Sequence, residues 1–259
     1  MALIAITREV SPSINRCELS FHDRKPIDVP RAIEQHAAYQ QCLKSLGARV
    51  ISLPAEPDLP DSVFVEDAAI VFDTVAVIPI MGAASRRDEP RSLVPTLLRY
   101  RPVEHLREPA TLDGGDVLVA GTRVYVGLTK RTNREGVNQM RNILQPYGYN
   151  VEGVAVHGAL HLKSACSYLG NDTLLINRQF IDAAAFKPFK LIDVPEHEPA
   201  APNALVLNGT VIMAASFPET CELLVHQDYP VQPVDVGELQ KAEAGVTCCS
   251  VVFGDSSDS

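Results

Sequence analysis

Residues 113–128 read DGGDVLVAGTRVYVGL: a polar opening, then two short apolar runs joined at Gly121-Thr122. Apolar runs flanking a glycine-containing pair predict a tight β-hairpin. The same grammar recurs along the chain. Glu66 and Asp67 open AAIVFDTVAVIPI, with Asp73-Thr74 at the turn. His161 opens LKSACSYLGNDTLLIN, turning at Asn171-Asp172, and Asn203 opens ALVLNGTVIMAA, turning at Asn208-Gly209. Cys248 opens CSVVF near the C-terminus. The openers at 66, 113, 161, 203 and 248 are 47, 48, 42 and 45 residues apart. A period in this range marks a repeat architecture with one supersecondary unit per repeat. The N-terminal ALIAI and the C-terminal CSVVF each lack a complete partner nearby, so the simplest closure pairs the two chain ends in one blade. The expected fold class is α/β, a five-bladed α/β propeller with pseudo-fivefold repeats. Equivalent positions of a closed ring converge on its axis, where a carboxylate, an imidazole and a thiol distant in sequence can meet.

Helical signals fall between the hairpins. Pro30 suits the first turn of a helix with Ile33, Ala37, Leu43 and Leu46 as its apolar positions and Gly47 as its stop. Thr132-x-x-Glu135 reads as a capping box before Val137, Met140, Ile143 and Leu144, with Gly148 ending that helix. Pro90 and Pro218 open two further candidates, around Leu93, Leu97 and Leu98 and through Cys221, Leu223 and Leu224.

The repeat runs through 259 residues without a Pro/Gly/Ser-rich linker, which predicts a single catalytic domain over residues 1–259. The terminal GDSSDS is small and acidic and is expected to fray. The formal net charge of −9 argues against nucleic acid, whose phosphates need a basic footprint, and suits a small cationic substrate. No apolar run reaches transmembrane length, and MALIAI is too short for a signal-peptide core. The six cysteines show neither C-x-x-C nor zinc-finger spacing, so reduced thiols in a cytoplasm are expected.

Taken singly, the openers are unremarkable in kind. A cysteine among Val and Thr is usually a small apolar core residue, a single histidine is usually structural, and two glycines between aspartates usually make a turn. Their shared placement is what matters. Cys248, His161 and Asp113 are a thiol, a proton carrier and an orienting carboxylate, the parts of nucleophilic catalysis. In a strand, the Cys248-Cys249 doublet places its side chains on opposite faces, so only one of them faces a central site. Gly114 and Gly115 allow backbone to pass close to a ligand or catalytic group. Glu66 and Asp67 lie within apolar SVFVEDAAIVF, where unpaired charge is costly. A guanidinium would satisfy such carboxylates with planar, bidentate hydrogen bonds.

The motifs LPDSVFVEDAAIV (59–71), GAASRR (82–87), TLDGGDVLVAG (111–121), VYVGLTKRTN (124–133), HLKS (161–164) and TCCSV (247–251) together resemble the dimethylarginine dimethylaminohydrolase family. That family belongs to the guanidine-modifying enzymes of the pentein fold. The resemblance implies hydrolysis of Nω-methylated arginine to citrulline and a methylamine through a covalent cysteine thiouronium. It makes Cys248 the nucleophile, His161 the acid and base, and Asp113 the carboxylate that orients the histidine. It makes Glu66 and Asp67 the guanidinium carboxylates, Asp61 a contact to the substrate α-amino group, and Arg86 and Arg131 the α-carboxylate clamp. Leu19 in the lid, Ser164 in HLKS, and Ala242 and Glu243 ahead of the cysteine complete the implied substrate contacts. Glu243 stands where the mammalian pattern has a shorter aspartate. Lys163 replaces the second acid of the HLD motif in arginine deiminases, leaving room for an N-substituted nitrogen. No metal and no cofactor are implied, and a homodimer is compatible with the resemblance. The competing readings are a hydrolase or deiminase for arginine or another substituted guanidine, a non-catalytic propeller binding module, and a zinc site built from Cys, His and Asp.

Overall fold

A computed structural model describes residues 2–255. Fifteen strands form five three-stranded sheets among the described residues. In chain order they are β1 (Leu3–Arg8), β2 (Ala48–Leu53), β3 (Ile70–Val71), β4 (Ala76–Ile78), β5 (Val103–His105), β6 (Val117–Ala120), β7 (Arg123–Leu128), β8 (Asn150–Ala155), β9 (Cys166–Gly170), β10 (Thr173–Ile176), β11 (Lys190–Asp193), β12 (Ala204–Leu207), β13 (Thr210–Ala214), β14 (Val231–Val234) and β15 (Val251–Gly254). Each sheet is an antiparallel pair carrying one parallel outer strand, as in β6-β7-β8. The seam blade is β15-β1-β2: β1 pairs antiparallel with β15, Ile4 opposite Phe253, and parallel with β2. The ring therefore closes by joining the two ends of the chain, as expected from ALIAI and CSVVF. Of the expected fraying tail, Ser256–Ser259 lie outside the described residues.

The hairpin turns follow from their residues. Asn171 and Asp172 both adopt positive φ (48° and 49°), as do Asn208 and Gly209 (48° and 79°). Such pairs match the twist of a tight hairpin, and Asn, Asp and Gly tolerate the left-handed region best. The outer strands were not legible as strands. β8 reads NVEGVA with four of its six residues exposed, and β11 reads KLID with one buried residue. Each forms because a neighbouring hairpin offers an unpaired edge, a tertiary cause that no local pattern carries.

The core lies between the blades rather than at one centre. In β1, Ile4 and Ile6 face one buried cluster and Ala5 another, so alternate side chains bury both faces of the strand. Complete burial of each isoleucine contributes roughly 1.5–3 kcal/mol. The helix Val29–Ser45 corrects the expected apolar stripe. Its N-cap Asp28 accepts the Arg31 N–H, but Ile33 is 51% exposed and the inward face is Ala32, Gln35, His36, Tyr39 and Leu43. Two polar members of that face have partners: Gln35 Oε1 accepts the Glu238 N–H, and Tyr39 shares a 2.7 Å hydrogen bond with Ser250. The helix Arg134–Leu144 is capped by Asn133, which accepts the Gly136 N–H, not by Thr132. Around Pro90 only two short turns form, Glu89–Ser92 and Val94–Leu97, with Leu98 exposed, whereas Pro218–His226 is helical as expected.

Candidate active site

Four of the five openers are short turns, and only Asn203 directly precedes its strand. Glu66 and Asp67 lie in the helical turn Val65–Ala68, Asp113 caps Gly114–Asp116, His161 caps Leu162–Ser164, and Cys248 sits in Thr247–Cys249. The strands that follow them, β3, β6, β9, β12 and β15, surround the axis. A tight turn aims neighbouring residues in different directions, and that sorting builds the site. The Cys248-Cys249 pair is separated in this way: Cys248 lines a small cavity shared with His161 and Asp67, while Cys249 is fully buried in the core.

His161 is buried between two acids. Its Nε2 lies 3.1 Å from Asp113 Oδ2, and its Nδ1 lies 3.7 Å from Asp67 Oδ1. Burial works against its charge, yet Asp67, the hydrogen bond to Asp113 and the nearby Asp116 raise its pKa to about 9. The imidazole is therefore protonated at neutral pH. Asp67, Asp113 and His161 bring their ligand-capable atoms within 4.8 Å of one another, a grouping that could also hold a metal ion; here the imidazolium is the cation the two carboxylates share. Asp113 is itself fixed, accepting the Gly82 N–H at 2.8 Å. Asp67 accepts from Gly115 N at 3.0 Å and Arg86 Nη1 at 2.8 Å. Burial opposes its ionisation, but His161 and Arg86 bring its pKa down to about 2.

Both glycines of the DGGD motif are required by approach distances. A Cβ on Gly114 would stand 2.0 Å from the Glu66 carbonyl oxygen, and one on Gly115 would stand 2.6 Å from Asp67 Oδ1 and 2.7 Å from His161 Nδ1. No side chain fits there.

Cys248 faces the same cavity as Asp61, Asp67, Arg86, Arg131 and His161. The Gly245 N–H points at its sulfur from 3.3 Å. Burial, together with the carboxylates of Glu66 and Asp67, nevertheless pushes the thiol well above its ordinary value. The resting sulfur is a neutral thiol beside a protonated imidazole.

The cations of the site differ in how fully they are engaged. Arg86 is buried, donating to both oxygens of Glu89 and to Asp67. Burial disfavours its charge, but Glu89 and Asp67 hold its pKa well above the ordinary value. Arg131 is buried too; its Nη1 lies 3.6 Å from Asp113 Oδ2 without a hydrogen bond, while its Nη2 donates to the Ser20 hydroxyl at 3.5 Å. Asp61 accepts the Glu18 N–H, and burial raises its pKa.

A lid covers the cavity, whose free volume is about 20 Å³, roughly enough for one water. Glu243 reaches across to accept three consecutive backbone N–H groups, from Ser20 at 3.0 Å, Phe21 at 2.6 Å and His22 at 2.7 Å. Ala242 and Glu243 line the cavity, as does Glu18, which the sequence reading did not single out. Leu19 and Ser164 are not among its lining residues. Leu19 instead packs, half-buried, against the adjoining core.

Glu66 does not join Asp67 in the cavity. Its Oε1 accepts from Lys163 Nζ at 2.8 Å and its Oε2 from the Thr247 hydroxyl at 2.6 Å. These groups line a second, axial cavity of about 380 Å³ walled by the inner strands of all five blades. In this geometry Glu66 and Asp67 point to different cavities: in a helical turn, consecutive residues diverge, and Lys163 pairs with Glu66. Asn203, an opener without an assigned job, donates to the Lys163 carbonyl and the Thr247 hydroxyl and accepts the Thr247 N–H. It fixes the turn that carries Cys248.

The family model for N,N dimethylarginine dimethylhydrolase, eukaryotic, matches residues 5–249. The N(G),N(G)-dimethylarginine dimethylaminohydrolase of Pseudomonas aeruginosa is 38% identical over 236 residues, covering 90% of this chain and 92% of that protein. Its counterpart from Streptomyces coelicolor is 39% identical over 249 residues, 95% of each chain. The solved structure of a cysteine-to-serine mutant of the Pseudomonas aeruginosa protein complexed with citrulline superposes with a TM-score of 0.93 at 34% identity, covering 98% of this chain and 100% of that one. The chain belongs to the dimethylarginine dimethylaminohydrolase family.

Proposed function

We propose that the protein hydrolyses Nω-methylated arginine to citrulline and a methylamine, with Cys248 as nucleophile. The observation that carries this reading is one buried cavity holding a thiol, a protonated imidazole and an ionised carboxylate. Asp67 receives the guanidinium, and the arriving cation offsets the negative field that holds the Cys248 thiol protonated. The thiol then gives up its proton to solvent, because His161 already carries one, and the resulting thiolate attacks the guanidinium carbon and forms a C–S bond. The tetrahedral adduct collapses by breaking the bond from that carbon to the methylated nitrogen, which leaves with the His161 proton. Neutral His161 next takes a proton from water, the hydroxide adds to the thiouronium carbon, and the C–S bond breaks to return Cys248 and release citrulline. Asp113 keeps the imidazole oriented through both proton transfers.

At the other end of the substrate, Arg131 Nη1 is a buried donor near Asp113 but without a hydrogen bond, suited to an α-carboxylate, with Arg86 lining the same cavity. Asp61 and Glu18 supply negative charge for an α-ammonium group. The reading includes no metal and no cofactor, since the steps need only a nucleophile, an acid and a base. Six cysteines outside any disulfide suit a reducing cytoplasm, and the −9 charge argues against nucleic acid as a partner. No helix among the described residues is long and apolar enough to cross a membrane.

The test is mass spectrometry of the protein trapped with dimethylarginine, joined to turnover of two variants. A covalent adduct is expected on Cys248; Cys248→Ser should lose turnover entirely, and Cys249→Ser, confined to the core, should keep most of it. The reverse pattern would overturn the assignment. Arginine consumed faster than dimethylarginine would instead identify a deiminase.

A further inference from the structure

The second aspartate of DGGD has no part in the chemistry above, yet it is wholly buried and accepts three hydrogen bonds from two separate segments. Asp116 Oδ1 accepts the Leu162 N–H at 2.9 Å, and Oδ2 accepts the hydroxyls of Thr132 at 2.6 Å and Thr129 at 2.7 Å. Each partner leads to a residue of the site. Leu162 follows His161 directly. The Thr132 hydroxyl accepts the Asp113 N–H at 3.2 Å, and the Thr129 hydroxyl accepts the Arg131 N–H at 3.0 Å. Room for this junction is made at Gly127, where a Cβ would stand 2.7 Å from Asp116 Oδ1 and 2.9 Å from Leu162 Cβ. Among the described residues no lysine or arginine pairs with the Asp116 carboxylate; its hydrogen bonds come from neutral donors.

A buried carboxylate without a bonded cation is costly. Burial pushes Asp116 up to about 6, against the influence of His161 and the three donors. An asparagine would avoid that cost but could not accept from two hydroxyls through a single oxygen while also receiving the Leu162 N–H in this geometry. The charge also bears on the imidazole, whose surroundings are Asp67 and Asp113 at its two nitrogens, Arg131 beside Asp113, Arg86 beside Asp67, and Cys248 across the cavity.

We propose that Asp116 is a positioning residue: its carboxylate locks the Asp113 and His161 backbones together and so seats the imidazole on Asp113 for proton transfer. This rests on the hydrolase reading for its kinetic consequence but not for its structural one, and the experiment separates the two. Asp116→Asn, Thr132→Val and Thr132→Ser are prepared in the full chain. Each is followed by kcat and KM with dimethylarginine, and by NMR titration of the His161 imidazole in the resting protein, assigned by its loss in His161→Asn.

Asp116→Asn is expected to lower kcat by about 10–100-fold with KM little changed, and to lower the imidazole pKa by about one unit as a negative neighbour is removed. Thr132→Val should show a smaller fall in kcat, and Thr132→Ser, which keeps the hydroxyl, should recover most of it. Native kcat and native titration in folded Asp116→Asn would overturn the proposal, as would Thr132→Ser being no better than Thr132→Val. Should Asp116→Asn fail to fold, the two Thr132 variants decide. Should the native protein not act on dimethylarginine, the titration decides alone.

Discussion

His161 and Cys248 carry opposite protonation problems in one cavity. The imidazole is raised to about 9, against its burial, by Asp67 and Asp113, while the thiol is pushed up by burial and the same acidic surroundings. In the roles proposed above, the acid is therefore ready before substrate arrives, and the nucleophile is not. A cationic substrate corrects the second without undoing the first, which makes the guanidinium a participant in its own attack. For kcat/KM, which reports the free protein, the alkaline limb is expected where His161 loses its proton, near pH 9. A pH–rate profile falling already through pH 6.5, the ordinary imidazole range, would contradict the carboxylate pairing. The same shift is linked to stability. The folded pKa is above the unfolded one, so the contribution is fully present below about pH 6.5 and is lost as pH rises through about 9. The melting temperature should decline over that interval, and less so in Asp113→Asn. The types of these residues were legible because the repeat put them at equivalent openings. Their partners were not: Gly82 N–H to Asp113 and Asn203 to Thr247 are contacts across 31 and 44 residues that no spacing announces.

The lid and its latch are where single elements decide function. Glu243 sits in the left-handed region, with φ of 59°, a conformation that is uncommon outside glycine, asparagine and aspartate. Its side chain, noticed in the sequence only as longer than the aspartate of the mammalian pattern, lines the cavity and gathers the amides of Ser20, Phe21 and His22. Bonds to a charged acceptor of this kind contribute about 1.5–3 kcal/mol each when well formed. Releasing them by Glu243→Ala should speed amide exchange at residues 20–22 at least tenfold, with Glu243→Gln intermediate. Unchanged exchange would remove Glu243 from the closing of the lid. Elements of this sort escape sequence reading for a definite reason. The strands with alternating apolar residues and Asn-Gly turns announced themselves, whereas the lid is held by backbone amides, which every residue possesses. Helix Val29–Ser45 shows the converse: its extent was legible from Pro30 and Gly47, but its inward face was set by partners for Gln35 and Tyr39 rather than by Ile33.

At the scale of the whole ring, each turn at the axis presents successive residues to opposite ends. Asp67, His161 and Cys248 face the small covered cavity, while Glu66, Lys163 and Thr247 face the larger axial one. Fivefold repetition thus yields two chemically different chambers from one set of openers, and the Glu66–Lys163 pair stands between them. This arrangement exists only while the ring is closed, and the closing strand, β15, begins three residues after the nucleophile. Phe253 is the residue that fastens it. Its ring is 6% exposed, meets Tyr100 edge-on at 5.4 Å and lies under the Arg101 guanidinium at 4.5 Å. Phe253→Ala removes that packing at a cost of about 3–5 kcal/mol, which lowers the melting temperature by roughly 10 °C in a domain of this size. If the seam couples site and fold, activity and the far-ultraviolet circular dichroism signal should be lost at the same temperature. Activity lost well below the spectroscopic transition would mean that β15 detaches locally, taking Cys248 away from an otherwise intact ring. Two added cysteines bridging β1 to β15 would then restore activity without raising the main transition, whereas in a cooperative ring they would raise both together.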